Sequence, residues 1–304
     1  MKNILYVEKR NFVATSKNGI KVVSVIDKVE KYFAYEDIGI IVFDNKRSYF
    51  SENLIRKCAE YNIALLFCDV NHSPLILFES IYGQEKRLSL LQKQLELLNK
   101  VKSRLWKKIV VTKIENQAQA LERCTESKEQ VELIRSVVTN VTEGDKRNAE
   151  AYAARVYFIS LFGKNFKRGR YDDIINSSLN YGYTILRMLI RREIVIHGLE
   201  PSWGINHIST SNPFNLSDDL IEAYRPFVDW WIVTQVLPLA DQNLGLTQED
   251  KQALLKVLFE KCVIDGKVYA LADAIGLTVD SYVHCLKLNS SGGLKLPTFI
   301  QGGS

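Results

Sequence analysis

The chain has 304 residues, of which 46% are hydrophobic and 25% charged, with a formal net charge of +5 at pH 7. This balance excludes a disordered chain and fits a soluble globular protein large enough for one big domain or two smaller ones. No apolar run approaches the eighteen or so residues needed to cross a bilayer. The five cysteines stand singly without a C-x-x-C pair, which argues for reduced thiols, a cytoplasmic setting and no zinc finger. Met1 to Glu8 lacks the apolar core of a secretory leader, so no export is expected.

Residues 1–82 read as a β-rich domain. Ile4 to Val7, Lys21 to Ile26, Ile38 to Phe43, Ile63 to Cys68 and Leu75 to Phe78 are short β-branched or aliphatic runs separated by turn signals such as Lys17-Asn18-Gly19. One helix interrupts them, from Ser51 to Glu60, with Ser51 as its cap. No catalytic constellation is visible there, and exposed strand edges predict a symmetric homodimer held by this domain.

From residue 83 the period changes to that of helices, and residues 83–288 form the expected all-α body. Leu88, Leu91, Leu95, Leu98, Val101 and Leu105 mark one stripe ending near Trp106, and leucine-rich helix continues to about Thr139. Asn148 to Phe158 reads as a helix apolar on nearly every face, hence buried. A further helix spans Asp172 to Ile196, with Gly182 marking a close helix approach. Helix resumes from Ser217 with a kink at Pro226, then over Gln248 to Cys262 and Lys267 to Leu286. Residues 289–304 read as a flexible tail because of Ser290-Ser291-Gly292-Gly293. The fold class expected is therefore α+β, a small β-rich N-terminal domain followed by a large all-α C-terminal catalytic domain.

Four polar residues of the body carry the chemistry: Glu150, His207, Asp219 and Glu222. A carboxylate in an apolar helix must be paired, protonated or bound to a metal, and for Glu150 an arginine partner competes with a metal. His207 lies in the glycine-bearing loop Gly204-Ile205-Asn206-His207, where a backbone carbonyl is the ordinary partner of such a ring. Asp219 and Glu222 lie at i, i+3 on one helical side. They equally suit the first turn after a Ser217 cap, and Glu222 could pair with Arg225. Together the four make a mixed oxygen and nitrogen set for Mg²⁺ or Mn²⁺. Carboxylates gathered without an ion repel, so removing one is expected to raise the metal-free melting point slightly.

Cations cluster between these residues in sequence. Lys164, Lys167, Arg168 and Arg170 crowd one loop, and Arg187 and Arg191 share a helix face at i, i+4. A solvated surface is the ordinary reading of such runs, but beside a metal site they suit DNA phosphates.

The strings that hold these residues resemble one family. Thr142-Glu143-Gly144-Asp145 through Glu150 to Phe158, Leu179-Asn180-Tyr181-Gly182-Tyr183, Gly198 to His207, and Pro213 through Asp218-Asp219 and Glu222 to Pro226 stand in the order of the CRISPR-associated integrase family of spacer acquisition, the Cas-one family. Tyr157-Phe158 to Gly163 and the short head look most like its type II branch. The resemblance implies Glu150, His207 and Glu222 as catalytic metal ligands. Asp219 is implied as an auxiliary ligand or proton acceptor of milder effect, with Asp218 as its alternative. It implies attack of a fragment's 3′-hydroxyl on a phosphodiester at a CRISPR repeat, with protospacer and repeat duplexes as substrates. It also implies a homodimer, a heterohexamer with the small Cas-two partner, and cooperation with the type II effector nuclease and its ring-shaped helper. Two rivals remain open on the residues alone: a DNA repair nuclease using the same metal site, and a non-catalytic DNA-binding scaffold whose acids pair with arginines.

Overall fold

The computed structural model describes residues 3–7, 9–68, 74–78, 80, 87–169, 171, 173–240 and 245–301. The chain divides into two compact units, Met1–Glu85 and Lys86–Ser304. The first contains β1 (Asn3–Val7), β2 (Asn11–Ser16), β3 (Gly19–Ser24), β4 (Glu30–Ala34), β5 (Ile38–Phe43), β6 (Tyr49–Phe50), α1 (Glu52–Glu60), β7 (Ala64–Cys68) and β8 (Pro74–Phe78). One sheet runs β1-β5-β7-β8 and the other β4-β3-β2-β6. In the first, β1, β5 and β7 are parallel and β8 is antiparallel. β5 is central and buried at every position, as its unbroken Ile-Gly-Ile-Ile-Val-Phe run requires. Val13, Ile20 and Val22 of the second sheet share a core with Leu54 and Cys58 of α1 and with Ile41 and Leu65 of the first. Ser51 caps α1, its hydroxyl accepting from the amide of Leu54 at 3.3 Å.

The second unit comprises α2 (Arg87–Glu96), α3 (Asn99–Cys124), α4 (Lys128–Val137), α5 (Ala149–Phe162), α6 (Ile174–Ile196), α7 (Asn215–Leu220), α8 (Arg225–Trp231), α9 (Gln248–Leu255), β9 (Lys261–Ile264), β10 (Lys267–Ala270) and α10 (Leu271–Leu288). α3 is the spine, buried along most of its length and packed by α4, α5 and α8. Gly182 of α6 meets α8 so closely that an added Cβ would fall 2.5 Å from a Val228 methyl.

Several expectations are corrected. The leucine stripe breaks at Leu97-Leu98, so Trp106 lies inside α3 rather than at a helix end. Ser217 lies buried within α7, which starts two residues earlier at Asn215, and caps nothing. Pro226 occupies the first turn of α8, where its missing N–H has no helical partner to lose, so it starts a helix instead of kinking one. The body is not wholly helical: β9 and β10 pair as an antiparallel hairpin around Asp265 and Gly266, whose φ values of 55° and 73° make the turn. Residues 289–301 are not a loose tail. Thr298 bridges Val263, Leu294 and Phe299 are buried, and Phe299 stacks on Phe227 with ring centroids 4.0 Å apart. Nor is α5 wholly buried. Only Ala149, Ala153 and Tyr157 are enclosed, and Tyr152 is exposed.

Candidate active site

The site is built around a lysine. Lys113, midway along α3, lies between Glu150 at the start of α5 and Glu222 in the single turn Ile221–Ala223 that joins α7 to α8. Its ammonium donates to Glu150 Oε1 and stands 2.5 Å from Glu222 Oε2. The Lys113 and Glu222 side chains are only 7% and 5% exposed, whereas Glu150 is 25% exposed and opens the site to solvent. Arg225 reaches Glu222 Oε1 at 3.1 Å, so the i+3 ion pair and the shared site coexist. Burial opposes the charge on Glu222, but Lys113 and Arg225 outweigh it and hold the carboxyl below its ordinary range.

Local contacts fix the acids. The Asp145 carboxylate accepts from the amides of Ala149 and Glu150 at 2.9 and 3.0 Å, capping α5 so that Glu150 leaves its first turn in one direction. Asn116, one turn beyond Lys113, donates to the Ala223 carbonyl at 2.8 Å and to the Pro297 carbonyl at 2.9 Å. It thereby pins the turn carrying Glu222 to α3.

His207 is oriented by Asp219. The wholly buried Asp219 carboxylate accepts from the amides of Ile205, Asn206 and His207 at 2.5, 3.0 and 3.1 Å. His207 Nδ1 lies 2.7 Å from its Oδ1. With Nδ1–H donating to Asp219, a neutral ring presents its lone pair at Nε2. That hydrogen bond holds the imidazole above its usual range. Gly204 is required here, because a Cβ would sit 2.3 Å from the His207 carbonyl and 2.7 Å from Asp219 Oδ2. Asn215 ties both ends of the loop, donating to the carbonyls of Ser202 at 3.0 Å and Ser209 at 2.8 Å. Trp106 meets the ring edge-on, and a cleft of about 530 Å³ opens beside it, lined by Lys102, Trp203 and Asn212.

A second buried acid stands behind the site. Asp229 accepts from the Tyr183 hydroxyl, and Arg225 lies over the Tyr183 ring, 4.9 Å from its centroid. Burial pushes the Asp229 carboxyl up to about 7, against the hydrogen bond from Tyr183 and the charge of Arg225. Between pH about 4 and about 7 the unfolded chain releases a proton that the folded one keeps. Folding stability is therefore expected to fall by up to about 4 kcal/mol across that window and to level off above it. Asp229→Asn keeps an acceptor for Tyr183 and should flatten the slope. Urea midpoints at pH 5 and pH 8 test this, and an unchanged slope in the variant would acquit Asp229.

The structure thus brings Glu150 and Glu222 to one ammonium and joins His207 to Asp219. Among the described residues no three His, Cys, Asp or Glu side chains gather closely enough to hold an ion between them. Asp218, the alternative auxiliary acid, is taken up by Arg187 at 2.7 Å and Asn212 at 2.8 Å. Of the basic residues, Lys164 and Lys167 are exposed. Arg168 is held by Asn176, Asn180 and the Tyr183 ring, and Arg191 lies over Phe214. Arg170 lies outside the described residues. The Glu222–Arg225 pair was expected and is present, whereas sequence reading missed Lys113 and Asn116 as parts of the site. Their signal was Lys113, Asn116 and Gln117 at i, i+3, i+4 on the buried stripe of a long helix, where apolar side chains belong.

Residues 5–256 match the family described as "CRISPR associated protein Cas1". The chain belongs to the Cas1 family. It is 32% identical over 265 residues to a CRISPR-associated endonuclease Cas1 of Neisseria meningitidis serogroup C (strain 8013), covering 87% of this chain and 86% of that protein. A CRISPR-associated endonuclease Cas1 of Francisella tularensis subsp. novicida is 28% identical over 258 residues, 78% of each chain. The fold is shared with a casposase bound to integration product at TM-score 0.76, 19% identity, and coverage of 95% of this chain and 92% of that one. It is shared too with a CAS1 protein from Thermotoga maritima at TM-score 0.73, 17% identity, and coverage of 94% and 97%.

Proposed function

We propose that this chain is a metal-dependent DNA endonuclease and integrase that inserts short foreign DNA fragments into a CRISPR array. The observation that carries this reading is the convergence of Glu150 and Glu222, from separate helical elements, on one cation beside an imidazole whose Nε2 is directed by Asp219. Kinship to endonucleases named Cas1 supports phosphodiester chemistry, and the fold shared with a casposase bound to its integration product favours joining.

The chemistry of the donors, two carboxylates and an imidazole nitrogen, fits a divalent ion, although the three do not gather around one point as they stand. Glu222 Oε2 is buried and faces the Lys113 ammonium at 2.5 Å, so the oxygen is already placed against a positive charge. Glu150, Glu222 and His207 Nε2 would hold the ion, Mn²⁺ or Mg²⁺, with the imidazole favouring Mn²⁺. When bound, such an ion polarises the scissile phosphate and stabilises the negative charge that builds on its oxygens. One P–O bond forms to the attacking 3′-oxygen and one breaks in the repeat strand, so the number of phosphodiesters is conserved and no nucleotide energy source is required. Bound through Nε2, His207 would have no proton to give, and Asp219, by accepting from Nδ1, would make Nε2 a stronger donor to the ion. Asp219 is a positioning residue in this scheme. The cleft flanked by Lys102 and Trp203 gives an unpaired strand end a cation and an aromatic face.

Double-stranded DNA, both protospacer and repeat, is the proposed substrate, which places the work in the cytoplasm. Solved Cas6-RT-Cas1–Cas2 complexes include chains of this fold, and a homodimer that assembles with the small partner into a heterohexamer is the proposed working form. The type II effector nuclease and its ring-shaped helper are further proposed partners. The test is strand joining on supercoiled repeat DNA with and without the small partner, in Mg²⁺ and in Mn²⁺. Cleavage without any joined product would favour the repair-nuclease reading.

Backbone contact is expected from Lys164 and Lys167, which are exposed just beyond α5. Replacing both by alanine should weaken DNA binding for every sequence and lower the salt slope by about 2. An unchanged slope in a filter-binding titration from low to high salt would return them to ordinary surface.

A further inference from the structure

Two carboxylates this close would repel each other if nothing positive stood between them. The chain supplies that charge itself. Lys113 comes from the middle of the most buried helix, and its ammonium meets Glu150 and Glu222 together. No acid on α3 itself bonds to it. Burying an ammonium is costly, and this one is compensated by two acids from separate elements, α5 and the turn Ile221–Ala223. Its place is the one a divalent ion would take between the same oxygens.

We infer that Lys113 is a resident stand-in for the divalent ion, holding Glu150 and Glu222 at cation-binding separation in the metal-free protein and yielding its place when the ion arrives. This rests on the proposed reading of those carboxylates as metal ligands. The geometry gives the device a direction. The ammonium is tethered, so it stays near the site and competes with the ion. The protein is preorganised but binds its ion less tightly than the bare carboxylates would.

The test is calorimetric titration of Mn²⁺ into wild-type and Lys113→Gln protein, with metal-free melting recorded for both. Glutamine keeps a donor for the carboxylates and removes the charge. Lys113→Gln is expected to melt lower without metal, to bind Mn²⁺ roughly tenfold more tightly than wild type, and to gain more melting temperature from Mn²⁺. A purely structural lysine predicts the reverse, since a disordered site binds its ion more weakly, and equal or weaker affinity in Lys113→Gln overturns the inference. If the variant does not fold alone, refolding in Mn²⁺ takes the place of the titration. Rescue by the ion supports the stand-in, and failure of rescue rejects it. Absence of Mn²⁺ binding in the wild type would instead reject the metal-site reading on which the inference stands.

Discussion

Glu222→Gln is expected to reduce strand joining by roughly a hundredfold or more while the protein also loses stability. The substitution keeps shape and removes charge from a side chain that is 5% exposed and contacts both Lys113 and Arg225. Buried Lys113 and half-buried Arg225 then share too little negative charge, at a cost of about 3 kcal/mol by analogy with broken buried pairs. This reverses the sequence expectation that deleting an acid relieves repulsion, because that expectation counted the acids and not the cations already between them. The reaction side of the effect follows from the loss of an anionic oxygen where phosphate charge must be stabilised by an ion. Joining rates and melting temperature should be measured on the same preparation. Wild-type joining by Glu222→Gln would remove the residue from the mechanism, and an undiminished melting point would show that Lys113 and Arg225 find other partners.

Asp219→Ala is expected to be nearly as damaging as His207→Ala, not the mild lesion of an auxiliary ligand. Asp219 is wholly buried, and its two oxygens receive three backbone amides and the His207 ring. Alanine leaves those donors without an acceptor, at a cost on the order of 3 kcal/mol, and frees the loop from Gly204 to His207. The ring then loses both its orientation and the partner that raises its basicity. Asp219→Asn retains one acceptor oxygen and should fall between. The distinguishing measurement is the pH profile of joining. In Asp219→Asn the limb belonging to His207 should move toward lower pH, because the charge-assisted hydrogen bond is gone. A profile that stays in place would mean that Asp219 acts on something other than the imidazole.

The acids and the histidine were legible because their residue types are costly where they sit, and because their strings stand in a recognisable order. The head was legible in its buried strands, whose aliphatic runs are unbroken, and less so in β2 and β4, which mix polar and exposed positions. What could not be read was pairing. Lys113 lies in a helix whose other lysines keep at least partial exposure, and only tertiary packing decides that this one turns inward to two distant acids. The hairpin of β9 and β10 was obscured because its strands are four residues each and flanked by strong helices, so the Asp265-Gly266 turn signal was outweighed. The segment after Leu288 looked mobile from its serines and glycines, yet Phe299 decides its fate by stacking on Phe227.

That last contact has a temporal side. Asn116 needs the Pro297 carbonyl, 181 residues further along the chain, as its second acceptor. A polypeptide emerging from the ribosome makes Lys113, Glu150, His207 and Glu222 long before it makes residue 297. During that interval the amide beneath the Glu222 turn has one bond where the finished protein has two, and the Phe227 ring lacks its cover. The clasp therefore separates synthesis of the acids from completion of the pocket. An unfinished nascent chain carries every acidic residue of the proposed centre without the packing that holds them in register.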